Sequence, residues 1–315
     1  MKAMALWLAM VVVTWGAEKP VTLGLVAKSQ SNPVFQAAYA GAKDAAKELG
    51  PKYGVVVTID WQTPPDEDAQ KQAEAIEQLA RAGAAGIAVS CSDANTVTPA
   101  INKAVELGAV VMCFDSDAPR SKRLCYYGTD DVTCGRLVMQ ELAQVMGGKG
   151  TIAILAGNQT APNLQKRVQG VREELAKHPG MQLLADGVFY HPETPEQAAE
   201  AVNTAQSTHP QIEGWAMIGG WPLFAKNALK WAPGRPRVVS VDALPPQLAF
   251  LHSGHVETLF AQDCYGWGYK SVEILLEKIV AGRNPPAERV IDPLTKVTKE
   301  NAAEYAKKWD KWLGK

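Results

Sequence analysis

The residues with chemistry to offer recur at one kind of place, just after a short apolar run. Lys28, then Asn32 and Phe35, follow Val21–Ala27, and Asp115 and Ser116 follow Phe114. Asn163, Gln165 and Arg167 come soon after Ala156, and His191 comes after Phe189-Tyr190. Trp221 follows Ile218-Gly219-Gly220, Asp242 follows Val241 and Gln262 follows Ala261. This set is rich in carboxylates, amides and aromatics, and poor in pairs of nucleophile and base. Carboxylates and amides bond hydroxyl groups in a planar, bidentate way. Aromatic faces suit the C–H face of a pyranose or furanose. Together they suit a neutral polyol or sugar. Singly, each residue has a plainer reading. Asp115 or Asp242 could cap a helix or form a turn, Trp221 could be core, and His191 before Pro192 could be a turn residue.

Catalytic motifs are missing from the sequence. It has no G-x-S-x-G elbow, no G-x-G-x-x-G after a strand and no G-x-x-x-x-G-K-[ST] loop. Asp115, Asp117, Asp130 and Asp131 lack the D-x-D-x-D-G spacing and closing Glu of a calcium loop, so no metal is expected. No cofactor and no enzymatic activity are expected either.

The elements that must position these residues are legible as alternating patterns. Val21–Ala27, Val55–Trp61, Gly86–Ser90, Ala109–Phe114, Thr151–Ala156, Gly214–Ile218 and Arg237–Val241 are continuous apolar runs. Strands covered on both faces in a parallel sheet read this way. Helix patterns lie between them. Asn32 is a candidate cap before Pro33, with a stripe of Phe35, Ala38, Ala42, Ala45 and Leu49 ending at Gly50. A second helix starts in Asp66-Glu67-Asp68, where acid suits the positive end of the helix dipole. A third runs from Asn95 to Gly108 and a fourth from Asp131 to Gly147. Repeated βα units with right-handed crossovers give an open doubly wound sheet. In such sheets ligands bind beyond the carboxyl ends of the strands, where the polar residues fall. The end, Glu300–Lys315, reads as an amphipathic packing helix carrying Tyr305, Trp309 and Trp312.

Composition bounds the rest. The chain has 315 residues, 47% hydrophobic and 21% charged, an ordinary globular profile with room for two domains. Lys and Arg number 32 against 33 Asp and Glu, so the basic excess of a nucleic-acid binder is missing. The start differs from the rest: Lys2 precedes an apolar stretch from Ala3 to Trp15, too short to span a bilayer comfortably but suited to a signal-peptide core. A buried N-terminal strand or helix is the alternative. The five cysteines are an odd number without C-x-x-C spacing. A Cys113–Cys125 disulfide and five small buried thiols both stand as readings.

At these residues the chain resembles the type I periplasmic binding proteins of the ribose-binding, sugar ABC-transporter class. The resemblance runs from about residue 21 to 297 and rests on ordered pieces. They are Leu25-Val26-Ala27 into Asn32-Pro33-Val34-Phe35; Phe114-Asp115-Ser116-Asp117; and Gly128-Thr129-Asp130-Asp131. Asn163 with Arg167 and Gly170, Val241-Asp242, and Ala261-Gln262-Asp263 complete them. The resemblance implies two Rossmann-like doubly wound α/β lobes joined by a three-strand hinge. With the signal peptide read at 1–17, it implies an N-terminal lobe of 18–129 plus 263–291 and a C-terminal lobe of 130–262 plus 292–315. Asn32, Phe35, Asp115, Asp242 and Gln262 would contact a monosaccharide between closing lobes. A membrane permease would be the partner of an exported, periplasmic, monomeric receptor. A sugar-responsive regulator core of the lactose-repressor type shares the fold, but would need a DNA-binding head that this start does not resemble. Ser116, Gln165 and Gly219 stand where ribose binders carry a basic residue, an arginine and an asparagine, which argues against ribose itself. Trp221 and His191 are candidates to fill that space.

Overall fold

The structure is a computed structural model that describes residues 19–225 and 228–312. The expected leader at 1–17 lies outside the described residues. The first half alternates β1 (Lys19–Val26), α1 (Pro33–Leu49), β2 (Val55–Trp61), α2 (Ala69–Arg81), β3 (Gly86–Val89), α3 (Ala94–Glu106), β4 (Val110–Phe114) and β5 (Tyr126–Gly128). The second half follows with α4 (Asp131–Met146), β6 (Gly150–Gly157), α5 (Pro162–Leu175), β7 (Met181–Tyr190), α6 (Pro195–Thr208), β8 (Gly214–Met217), β9 (Arg237–Val241), α7 (Pro245–Ser253) and β10 (Thr258–Ala261). Four more elements close the chain: α8 (Cys264–Ile279), β11 (Arg289–Ile291), β12 (Thr295–Val297) and α9 (Ala302–Trp312).

The strands form two six-stranded sheets, β11-β5-β4-β3-β1-β2 and β12-β10-β9-β8-β6-β7. All described pairings in the first are parallel; in the second only β12, at its edge against β10, is antiparallel. The two sheets repeat one strand order. In each, the first strand lies between the second and third, which makes the switch point where open sheets bind ligands. The chain crosses between the sheets three times, after β5, after β10 and between β11 and β12. The two-lobed α/β architecture is therefore the one expected from the sequence.

Local signals account for the helices. Asn32 caps α1 by accepting from the Val34 N–H at 3.2 Å, with Pro33 as the first helical residue. Asp68, Asp93 and Asp130 cap α2, α3 and α4 in the same way. The helix faces that bury Phe35, Ile76, Ile101 and Leu142 turn inward onto the sheets. Trp215 and Trp267 are core, and Trp309 of α9 is buried with its indole N–H donating to the Ala243 carbonyl at 2.9 Å.

Two helix pairs touch backbone to backbone. A Cβ on Gly41 of α1 would overlap the Tyr265 carbonyl, and one on Gly268 of α8 would overlap that of Ala38. The second lobe repeats this where α4 meets α5, with Gly135 against the Arg167 carbonyl and Gly170 against that of Val132. Main chain cannot swing aside as a side chain does. Gly268→Ala is therefore expected to destabilise the protein by about 1–3 kcal/mol or more in urea unfolding. A loss below about 0.5 kcal/mol would show that the helices separate at little cost.

All five cysteines are buried free thiols, so the Cys113–Cys125 disulfide is not formed. Cys113 instead pairs main chain with Cys125, N–H to carbonyl at 2.9 Å, and its Sγ lies 3.9 Å from that of Cys91. No helix of the described residues is long and apolar enough to cross a membrane.

Candidate ligand site

The polar residues singled out in the sequence converge where the carboxyl ends of the two sheets face each other. Asp115 leaves β4 with φ +55° and Asp242 leaves β9, the matching strand of the other sheet, with φ +73°. A left-handed conformation is uncommon for residues other than glycine and stores strain that local structure must hold. Each turn swings its carboxylate under the strand ends. Asp115 accepts from the Ser90 hydroxyl at 2.6 Å and from the Asn163 amide at 3.4 Å. Asp242 accepts from the Gln262 amide at 2.8 Å and from the Gly220 N–H at 3.2 Å. Burial pushes both carboxyls up from their ordinary range, and the Arg167 guanidinium is among the groups that oppose it.

Asn163 and Arg167 stand one turn apart on α5 and so share a face. Arg167 is buried, and it holds three elements together. Its Nε donates to Asp131 at 3.0 Å, Nη1 to the Ile218 carbonyl at 3.1 Å and Nη2 to Gln262 Oε1 at 2.7 Å. Burial lifts the Asp131 carboxyl to about 6 in spite of Arg167. Thr129 donates to the same Gln262 oxygen at 3.1 Å. Gln262 thus has both ends of its amide engaged and is fixed in orientation.

A second network spans the two lobes. Lys28, past the end of β1, is 2% exposed and reaches Asn163 Oδ1 at 3.4 Å and Glu193 Oε1 at 3.5 Å, both on the opposite lobe. Burial works against its charge, but Glu193, Glu67 and Asp115 outweigh this and hold the ammonium protonated. Glu67 stands just before α2, and burial and the nearby Glu193 push its carboxyl up to about 7, against Lys28, Asn158 and Ser92. A cavity of about 640 Å³ opens here between Ser29, Ser31 and Glu67 on one lobe and Asn158, His191 and Glu193 on the other.

The remaining candidates sit around these networks. Asn32 is engaged as the cap of α1, and Phe35 is buried against Trp267 with ring centroids 6.2 Å apart. Ser116 is fully buried with its hydroxyl unpaired, and Gln165 is half-buried with its amide nitrogen unpaired. His191 meets the edge of Trp221, centroids 5.0 Å apart, while Trp221 packs into the second lobe's core. A side chain at Gly219 would run into the Trp221 ring, so the indole occupies the space where such a side chain would point. Glu67, Glu193, Thr129, Asp131 and Ser90 take part without having been singled out as site residues. Glu67 and Asp131 read in the sequence as helix-start acids, which they also are. Among the described residues no group of three ligating side chains is placed to hold a metal. The arrangement is one of fixed donors and acceptors at the facing ends of two like lobes.

The chain belongs to the periplasmic binding protein family. Residues 23–283 match the Periplasmic binding protein domain. It is 26% identical over 285 residues to the D-ribose/D-allose-binding protein of Pseudomonas aeruginosa, covering 86% of each chain. In structure it resembles an ABC transporter solute-binding protein of Burkholderia graminis in complex with D-arabinose. That likeness has a TM-score of 0.82 and 26% identity over 91% of this chain and 98% of the other. A glucose-galactose binding protein of Geobacillus stearothermophilus aligns with a TM-score of 0.79 at 26% identity, covering 90% and 99%.

Proposed function

We propose that this protein is the solute-binding receptor of an ABC importer, capturing a monosaccharide between two closing lobes and delivering it to a membrane permease. The observation that carries this reading is the matched pair Asp115 and Asp242, each presented by a left-handed turn at an equivalent strand end. Each is backed by amides, with Arg167 nearby. Carboxylates held this way accept from vicinal hydroxyls on both faces of a small ring. The relatives and structures named above carry sugars in their descriptions, and the regulator-core alternative finds no support in them. The lobes would comprise residues 18–129 with 263–291 and 130–262 with 292–315, in keeping with the strands each sheet contains. Capture would act by closure about the three crossings, without chemistry. The receptor would be an exported, periplasmic monomer whose leader at 1–17 is removed. Ser116, Gln165 and Gly219 favour a sugar other than ribose.

The test is a thermal-shift screen of the mature protein against pentoses, hexoses, ketoses and polyols. A ligand at a hundred times its Kd adds about 2.7 kcal/mol, which for this size raises Tm by about 4 °C. A flat melting curve across the whole panel would remove the sugar-receptor reading.

A further inference from the structure

We propose that the ligand of this cleft carries a primary ammonium group seated at the cavity mouth between Glu67, Glu193 and His191. The substrate class would then be an amine-bearing monosaccharide or polyol. This rests on the sugar-receptor reading and narrows it.

Among the described residues, the cavity lining is rich in acids and holds no lysine or arginine. It includes Asp66, Glu67 and Glu193, with His191 as its one basic side chain. The His191 Nδ1 lies 2.6 Å from the Pro192 carbonyl, and a carbonyl only accepts, so Nδ1 carries the ring proton. Burial lowers the His191 pKa and keeps the ring neutral, which leaves Nε2 as a bare acceptor. That nitrogen has no partner, on a side chain only 6% exposed. Glu67 Oε1 is likewise shut off from solvent with no donor within hydrogen-bond distance, although Asn158 and Ser92 stand near the carboxyl. A ligand hydroxyl supplies one donor to this group, whereas an ammonium supplies three.

The charges point the same way. Glu67 and Glu193 are two carboxylates, and Lys28 is one ammonium already shared with Asn163 and Glu193. The cluster is short of one positive charge. The protein makes up the difference with a proton, since burial and Glu193 raise Glu67 to about 7. The groups facing Glu67 are Lys28 past β1, Ser92 past β3, Asn158 past β6 and Glu193 past β7. A ligand ammonium would take the place of that proton. An amine-bearing ligand should therefore bind more tightly as pH rises through 7, while its hydroxyl twin should not.

The experiment is calorimetric titration of the mature protein with matched pairs, such as 6-amino-6-deoxyglucose against glucose, 6-amino-6-deoxygalactose against galactose and an aminodeoxyinositol against inositol. At pH 8 at least one amine is expected to bind about tenfold or more tighter than its twin, the worth of one charge-assisted hydrogen bond. At pH 6 that advantage should shrink about tenfold, and Glu67→Gln should remove both the advantage and its pH dependence. If every hydroxyl twin binds as tightly as its amine, the ammonium proposal falls and the sugar-receptor reading stands. An advantage that survives Glu67→Gln unchanged also overturns the proposal, because the amine would then sit elsewhere. If neither member of any pair binds, while other sugars also leave the melting curve flat, both readings fall together.

Discussion

Arg167→Met should abolish sugar binding and cost about 3–5 kcal/mol of stability at pH 8, the usual penalty for stranding one partner of a buried ion pair. The guanidinium is the counter-charge of Asp131, which is 4% exposed, and it also supports Gln262 and the Ile218 carbonyl. Methionine fills much of the volume and satisfies none of these groups. Asp131 would then relieve its burial by taking up a proton. Its carboxyl is at about 6 even with Arg167 present, and loss of the arginine moves it higher. A carboxyl whose folded pKa lies above the unfolded value penalises folding at high pH, and the penalty fades as pH falls through the folded pKa. Denaturant unfolding should thus show a larger deficit at pH 8 than at pH 5. A deficit that is small, or the same at both pH values, would mean that Arg167 is not the partner Asp131 depends on.

Asp242→Asn should lower sugar affinity about a hundredfold or more while costing the free protein only about 1–3 kcal/mol of stability. Both carboxylate oxygens already receive donors, from Gln262 and from the Gly220 N–H. An amide must turn its NH2 against one of them, and it brings no charge to a ligand hydroxyl. Hydrogen bonds to a charged group contribute roughly 1.5–3 kcal/mol each, so the loss of two accounts for the fall. Asparagine tolerates the left-handed backbone that Asp242 adopts, so the fold should survive. Affinity within a few-fold of the parent in calorimetry would take Asp242 out of the ligand's contacts.

Much of the scaffold was readable from local pattern. β1, β4, β6 and β9 are continuous apolar runs because helices cover both faces, whereas the edge strand β2 leaves Val56 and Thr58 exposed, and Asn32 with Pro33 announces α1. Aspartates placed directly after strands, Asp115 and Asp242, were readable for the same reason. The edge strand β7 alternates between buried and exposed residues and carries Ala185-Asp186-Gly187, so it shows no such run. The strands β5, β11 and β12 have three residues each, too few for a period to register. Glu67 was readable as an acid at a helix start, and that is true of it. Its closeness to Lys28 and, across the cleft, to Glu193 is something that spacing along the chain does not encode. The role of Asp131 depends likewise on Arg167, a residue of a different helix.

The three crossings between the sheets have a consequence for how this chain acquires its structure. Neither sheet is complete until the final segments arrive, because β11 adds the edge beside β5 and β12 the edge beside β10. The pairing of Tyr126 with Arg289 closes a loop that contains the entire second sheet except β12. Loop-closure entropy for such a contact must be met before the contact repays it, so late, slow maturation is built into the topology. A growing chain would pass through a long interval with the edges of β5 and β10 uncovered, the kind of intermediate that chaperones hold. Neither lobe could be isolated by a single cut in the gene, because each is stitched from separated stretches of the chain.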